Sequence, residues 1–326
     1  MNFHATPDGW RIIMMIQKDK FFQNKGIVLL LALLCSFLWG SAFPTIKIGY
    51  SAFAVQGTGS TLLFAGVRFT LAGVLVLLFG SFLQRRVLFP KKSSWGKVGL
   101  LSLAQTGVQY LFFYIGLSNC SGVKSSLLFT VNVFFSILVA CFLFRQEWFT
   151  LMKAVGCLIG FFGVLVINFD GLDASFSLFG EGFILLAAFS SAVSSSLIKR
   201  FSKDEDPVTL CAYQFVCGGV LLALVGWALG GTLTVWTGKG VLILIYLSLV
   251  SSVAYTLWGV LLQYNKPSTI ALFGFLNPAF GMILSAWWLN EEANVLLCLV
   301  ALSFIALGIW IVNRYGERPL FGKNGE

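Results

Sequence analysis

Residues 276–292 read LNPAFGMILSAWWLNEE, and residues 131–147 read VNVFFSILVACFLFRQE. Each opens on an apolar residue followed by Asn, runs through apolar and small residues, and closes on a glutamate, all at one offset of 145 residues. A chain that writes the same helix-length passage twice raises the question of whether everything around it is doubled as well.

Composition sets the solvent. The 326 residues are 58% hydrophobic and 11% charged, with 33 Phe and a mean hydropathy of +0.88. Such a chain lies far outside the range of soluble domains and reads as an integral membrane protein.

Charges are sparse enough to mark the spans. A hydrocarbon core of roughly 30 Å takes about 20 helical residues, and long flanking side chains snorkel to the interface. Ten apolar windows result, at residues 26–46, 60–83, 98–118, 123–144, 149–169, 180–199, 208–229, 239–262, 267–289 and 294–313. The interior connections are short, the longest being the basic, Pro-containing QRRVLFPKKSSW. The leader, residues 1–25, is polar and mildly basic, with WRIIMMIQKDKFF readable as an interfacial helix. The first window runs on too far for a signal-peptide core and shows no A-x-A site, so it is expected to stay as an anchor.

Lys and Arg collect on the cytoplasmic side. With both termini inside, that side receives Arg11, Lys18, Lys20, Lys25, Arg85, Arg86, Lys91, Lys92, Lys97, Arg145, Lys153, Lys199, Arg200, Lys203, Lys266, Arg314, Arg318 and Lys323. The other side keeps Lys47, Lys124 and Lys239. The net charge of +9 is therefore a topology signal, and no basic domain exists to bind nucleic acid.

The doubled passage closes the fourth window and again the ninth, so the repeat unit is five helices. An odd number places the two copies upside down relative to each other. Basic residues of one copy should then vanish from the other. Arg145, Lys153 and Lys97 become Asn290, Cys298 and Leu242, and at an offset of 146 Arg85-Arg86 becomes Gly231-Thr232. The uncharged pattern persists as Gly163/Gly308, Asn168/Asn313 and Gly171/Gly316, and at 152 as Phe37/Phe189 and Lys47/Lys199. The fold class is all-α integral membrane: ten transmembrane helices as two inverted five-helix repeats around a central cavity, at 26–171 and 178–316, with a cytoplasmic tail at 317–326.

Three motifs within this plan carry a resemblance. LWGSAFPTIKIG (38–49) in the first window, GVRFTLAG (66–73) with its arginine in the second, and the glutamates closing the fourth and ninth windows resemble the drug/metabolite transporter superfamily, in particular its EamA branch. The Gly-Glu usual at those closures is replaced by Gln146-Glu147 and Glu291-Glu292, so no role for the turn carries over. The resemblance implies export of small metabolites or xenobiotics by alternating access from a cavity between the halves.

The residues point to such a cavity on their own terms. Arg68 is a charge well inside a span, about eight residues or 12 Å from its outer end, where an arginine costs about 2.5–3.5 kcal/mol to insert. Its neighbours Thr61, Ala65 and Ala72 are small, and its partner at an offset of 146 is the neutral Gln214. An arginine of this kind either snorkels, gates or touches substrate, and one positive side chain would tolerate a carboxylate or zwitterion. Pro44 and the Asn277-Pro278 pair break helices inside spans, and Asn132 and Asn277 need hydrogen-bond partners there. Trp39, Phe43, Tyr110, Tyr114, Phe129, Tyr213, Tyr255, Trp258 and Phe273 add aromatic surface suited to an apolar-bodied solute. Trp287 and Trp288 read as interfacial anchors. Pro44, Pro278, Glu147 and Glu292 are the candidates for helix breaks and gating.

Other chemistries lack their residues. The single histidine, His4, has no partner, and the seven cysteines (35, 120, 141, 157, 211, 217 and 298) show no metal spacing. No catalytic residue, cofactor or metal is expected. Asp170, Asp173, Glu181, Glu291 and Glu292 are expected at the outer face, and Glu147 and the acidic residues 204–206 at the inner, leaving the midplane without the carboxylate a proton-coupled carrier uses. The expected partners are a small-molecule substrate and the lipid bilayer of the cell (inner or plasma) membrane; a homo-oligomer has no support in the sequence. The reading is thus a secondary-type exporter of neutral or zwitterionic, amino-acid-like metabolites or amphipathic xenobiotics. A sugar-phosphate or nucleotide-sugar exchanger is the alternative, though phosphates demand several cations, and a non-transport scaffold the remoter one.

Overall fold

The structure, a computed structural model, describes residues 20–119, 125, 128–167, 177–289 and 295–316. Among them there is no strand, and the chain is a succession of apolar helices. In chain order these are α1 (Lys25–Ala52), α2 (Gly57–Gln84), α3 (95–119), α4 (Asn132–Leu143), α5 (Leu151–Ile167), α6 (Leu178–Phe201), α7 (Pro207–Ala228), α8 (Gly238–Tyr264), α9 (267–289) and α10 (Val295–Tyr315). Helices α1, α2, α3, α6, α7 and α8 are each long and apolar enough to cross a membrane.

Helix ends differ from the windows where a charge was used to delimit them. α1 runs past Lys47 to Ala52, and α2 already begins at Gly57. A lysine does not stop a helix whose stem lies along apolar surface. The starts follow side-chain caps: Asn24 Oδ1 accepts from the Gly26 and Ile27 amides, Asp206 accepts from the Thr209 amide ahead of α7, and Thr237 accepts from the Gly240 amide at α8.

Helix pairing is reciprocal between the halves. α2 packs along α7 and α5 along α10; α1 touches α8 and α9, while α6 touches α3 and α4. Close approach is made by glycines. A Cβ on Gly73 would lie 2.7 Å from the Ala212 carbonyl oxygen and from the Val216 amide; one on Gly219 would lie 2.5 Å from the Thr70 amide and 2.9 Å from the Gly66 oxygen. Gly219 is 146 residues after Gly73, and Ala212 and Val216 are 146 after Gly66 and Thr70, so each contact has its mirror. At an offset of 145, Gly163 meets Ala301 and Ile305, while Gly308 meets Gly156 and Gly160. Even the edge-to-face pair Phe37–Phe280 (5.7 Å) returns as Phe189–Phe135 (5.6 Å).

The direction of these pairings is fixed by the same contacts. Gly59 lies against Gly226 and Gly231, Gly73 against Ala212 and Val216, and Gly80 against Val208, so α2 and α7 run antiparallel. The contacts are reciprocal: each helix meets the other through residues at matching offsets.

The outside of this bundle is apolar nearly all round, with Leu30, Leu78, Phe82, Trp148, Trp227, Trp287 and Leu299 exposed. Helices hydrophobic on their outer faces need lipid in place of water. Most of the cations lie at helix ends and in the connections; Arg68 is buried inside α2.

Candidate substrate site

Helix α3 is irregular where it matters. A regular stretch, Trp95–Leu101, passes through a π-helical segment, Ser102–Val108, into Gln109–Asn119. The widened turn presents Gln105, Thr106, Gln109 and Tyr110 to the bundle interior, where the first three are buried. π-Turns recur at functional sites because they re-aim side chains at a cost in hydrogen bonding. From the opposite half, α8 presents Ser248, Ser251, Tyr255 and Trp258, spaced to share one face.

Arg68 enters between these two helices from α2. With Gly57 as the first helical residue it stands eleven residues in, about 17 Å by helical rise, deeper than the sequence alone implied. Only 3% of it is exposed. Its Nη2 donates to Ser251 Oγ at 2.9 Å, its backbone carbonyl accepts from Ser248 Oγ at 3.1 Å, and its guanidinium lies 5.1 Å from the centre of the Phe69 ring. Tyr50, Tyr110, Tyr114 and Tyr255 are close enough to interact with its charge. No carboxylate pairs with it among the described residues, and its Nε has no acceptor.

The partner site follows the same geometry with different charge. Gln214 Oε1 accepts from Thr106 Oγ1 at 2.6 Å. Gln214 is 146 residues after Arg68, and Ser251 is 145 after Thr106, so the two hydrogen bonds are equivalents of each other. Between them Tyr110 and Tyr255 join hydroxyls, and Phe69 stacks on Phe215, their centres 5.3 Å apart.

The aromatic candidates extend this core in two directions. Trp39 of α1 meets Tyr255 at 5.1 Å and Trp258 at 4.9 Å, and its buried Nε1 has no acceptor. On the other side Tyr114 and Phe113 lead to Phe129, which meets Phe113 at 5.2 Å. Several buried polar atoms on α1, α2, α3 and α7 have no hydrogen-bond partner: Trp39 Nε1, Arg68 Nε, Gln105 Oε1, Gln109 Oε1 and Gln214 Nε2. Buried groups of this kind cost free energy unless water or a ligand completes them.

The helix breaks sit at equivalent places. α4 restarts at Asn132 after a turn at residues 130–131, and α9 restarts at Leu276 after the 3₁₀ segment Leu272–Phe275, within one residue of the 145 offset. Pro278 can donate nothing to the preceding turn. In the 3₁₀ segment just before it, the buried Phe273 carbonyl accepts from Ser36 Oγ at 3.0 Å. Asn132 Nδ2 donates to Ser191 Oγ at 3.4 Å, and Asn277 Oδ1 is buried without a partner. Pro44 lies within an otherwise continuous α1, one turn after Gly40, where a Cβ would meet Phe280 at 2.5 Å.

Two of the remaining candidates lie elsewhere. Tyr213 points away from its neighbour Gln214: its hydroxyl donates to the Leu88 carbonyl and its ring packs on Trp95 and Phe89, near the α2–α3 connection. Glu147, beyond the end of α4, is buried at one end of the bundle. It pairs with Lys153 Nζ at 2.6 Å and accepts from the amide of Ser268, at 2.9 Å, and from its hydroxyl, capping the start of α9. Glu292 and the side chain of Phe43 fall outside the described residues. A separate open cleft of about 320 Å³, lined by Thr45, Ile48, Lys239, Leu242, Ile243, Tyr246 and Trp288, contains none of the unpartnered groups.

A helical bundle clothed in lipid-facing residues, with buried polar groups converging where its two halves meet, has the build of a multi-pass membrane transporter. Comparison with known proteins makes this specific. The EamA-like transporter family matches residues 26–169 and again 178–314, and the chain belongs to that family. It is a transporter and not an enzyme. It is 27% identical over 288 residues to the uncharacterized transporter YvbV of Bacillus subtilis (strain 168), covering 86% of this chain and 91% of that protein. It is 28% identical over 302 residues to a probable amino-acid metabolite efflux pump of Escherichia coli (strain K12), covering 88% and 95%. A solved crystal structure at 15% identity shares the fold with a TM-score of 0.73, over 88% of this chain and 98% of that one.

Proposed function

We propose that this protein is a secondary transporter that exports small neutral or zwitterionic, amino-acid-like metabolites or amphipathic xenobiotics by alternating access. Two inverted five-helix halves, ten spans in all, would rock about a site at the middle of the cell membrane, with both termini in the cytoplasm. The observation that carries the reading is the meeting of Arg68–Ser251 and Thr106–Gln214 across the Tyr110–Tyr255 pair. Mobile halves need a shared surface that both can present to either side, and equivalent residues meeting on a two-fold axis supply one. The reciprocal antiparallel pairings of α2 with α7 and α5 with α10 support the inverted arrangement. The amino-acid metabolite efflux activity named for the Escherichia coli relative favours zwitterions.

Counterflow in proteoliposomes tests it, using amino acids, organic cations and sugar phosphates with and without a pH gradient. Saturable exchange of a neutral or zwitterionic solute, reduced in Arg68→Ala while membrane insertion persists, is expected. Exchange confined to phosphorylated solutes would replace this reading with a sugar-phosphate exchanger. Absence of any exchange by folded protein would remove the transport reading.

A further inference from the structure

We propose that Arg68 is the recognition point for a carboxylate on the transported solute, so that the site selects acids and zwitterions over esters and amines of the same shape. The inference rests on the transport reading and names the chemistry of its substrate.

The argument begins with an unbalanced charge. A buried guanidinium normally comes paired, because desolvating it is repaid only by a counter-charge and by hydrogen bonds to its five N–H groups. Arg68 is 3% exposed, sits among small and aromatic residues, and its guanidinium hydrogen-bonds to two neutral hydroxyls, those of Ser251 and Tyr114, with no anion beside it among the described residues. Its neighbours Tyr50, Tyr110, Tyr114 and Tyr255 offer phenols, which are polar without being anionic. Its Nε faces no acceptor. An acceptor-only, singly charged, planar group fits what is missing, and a carboxylate meets the guanidinium fork with two parallel hydrogen bonds.

Symmetry sharpens this. The equivalent residue is Gln214, held by Thr106 as Arg68 is held by Ser251. The fold therefore accommodates a neutral amide at this position, and packing does not call for a cation there. The half that carries arginine bears the cost of burying it, while the half that carries glutamine does not. A charge on one side only makes the two equivalent positions unlike: a guanidinium beside Ser251 at one, and the Gln214 carboxamide beside Thr106 at the other. Trp39 and Phe215 pack on Tyr255, and Phe69 packs on Tyr110, which gives the surroundings of Arg68 aromatic surface that an apolar body can contact.

The test uses four compounds on one aromatic body: 3-phenylpropionate, phenylalanine, phenylalanine methyl ester and phenethylamine. Binding is read as ligand-induced thermal stabilisation of the whole detergent-solubilised protein, and transport as counterflow, each in chloride and in methanesulfonate, which carries no carboxylate. The wild type is expected to favour the two carboxylates over the ester and amine by at least about tenfold. Arg68→Gln, which installs the residue of the equivalent site, is expected to bring all four within about twofold. Arg68→Lys keeps the charge without the fork and is expected to retain a reduced preference, which guards against a glutamine variant that fails to fold.

Equal affinity for acid and ester in the wild type overturns the proposal, as does undiminished preference in folded Arg68→Gln. Stabilisation by chloride with no discrimination among the four compounds also overturns it, making an inorganic anion the counter-charge. Carboxylate-selective stabilisation without counterflow would keep the anion site and remove transport. Counterflow without carboxylate preference would do the reverse.

Discussion

The phenolic hydroxyls of Tyr110 and Tyr255 hydrogen-bond to each other, and the two residues are 145 apart, equivalent places in the two halves. In the proposed inverted arrangement a contact between equivalents falls on the axis that would relate the halves. Each ring also packs on an aromatic residue of its own half, Tyr110 on Phe69 at 4.3 Å and Tyr255 on Phe215 at 5.0 Å.

This bond makes a distinctive thermodynamic signature. Tyr110→Phe or Tyr255→Phe leaves one buried hydroxyl without its partner, at a cost of about 1–3 kcal/mol, whereas replacing both with Phe removes both needs together. Each single variant should melt below wild type in detergent, and the double variant should recover much of the loss. Additive losses in the double variant would show that the two hydroxyls are not coupled.

The glycine contacts predict equal effects at distant sequence positions. Leucine at Gly73 or at Gly219 would drive a side chain into the backbone of the facing helix, at 2.7 Å and 2.5 Å respectively. Overpacking of this kind costs about 1–3 kcal/mol or more. Both variants should lose monodisperse behaviour on size exclusion to a similar degree, while Gly96→Leu, with nothing near its Cβ position, should resemble wild type. A strong effect at only one of Gly73 and Gly219 would contradict the reciprocal packing.

How far the sequence was legible follows from what makes a contact. The offsets found between apolar passages reappear as touching residues, Phe37–Phe280 beside Phe189–Phe135 and Gly163 beside Gly308's mirror contact, because helices in lipid meet through shape, which the spacing of small and large residues records. Charge, offset and ring point to Arg68, Gln214, Tyr110 and Tyr255 in the sequence. They do not point to Thr106 and Ser251, since small hydroxyls in helices more often bond to their own backbone, as Thr70 does to Gly66 and Ser102 to Val98, and Gln105 and Gln109 are turned inward by a π-helical segment that apolar spacing does not record. The 145-residue offset between Thr106 and Ser251 was the available signal. Tyr213 was misplaced because a residue next to Gln214 is rotated about 100° around the helix and faces another way.

At one end of the bundle a charge is buried with its partner. Glu147 holds Lys153 and the start of α9, and Lys153 also donates to the Trp148 carbonyl at 2.7 Å. Lys153→Met strands the carboxylate and should lower stability by about 3–5 kcal/mol; pairing it with Glu147→Gln should restore much of that, because the amide still accepts from Ser268. Thermal unfolding of the four proteins forms a double-mutant cycle, and a loss in Lys153→Met no larger than about 0.5 kcal/mol would mean the pair is dispensable.

The connection between α6 and α7 carries a second clasp, with a pH dependence of known sign. Lys97 donates to Asp204 at 2.6 Å, and this bond together with its charge holds the Asp204 carboxyl below its ordinary value. Burial pushes Glu205 upward, but the Lys91 amide at 2.9 Å, the Ser94 hydroxyl and the Asp206 amide outweigh it and leave that carboxyl lowered as well. Groups depressed on folding stabilise the fold fully above their ordinary values, 3.8 and 4.5, and stop doing so as pH falls through the folded values below them. The wild type should therefore lose more melting temperature between pH 6 and pH 3.5 than Asp204→Asn/Glu205→Gln does. Salt separates the two contributions: the exposed Asp204–Lys97 pair should weaken in about 0.5 M NaCl, while the partly buried Glu205–Lys91 backbone bond should not. A double variant as acid-sensitive as wild type would place the titrating groups elsewhere in the chain.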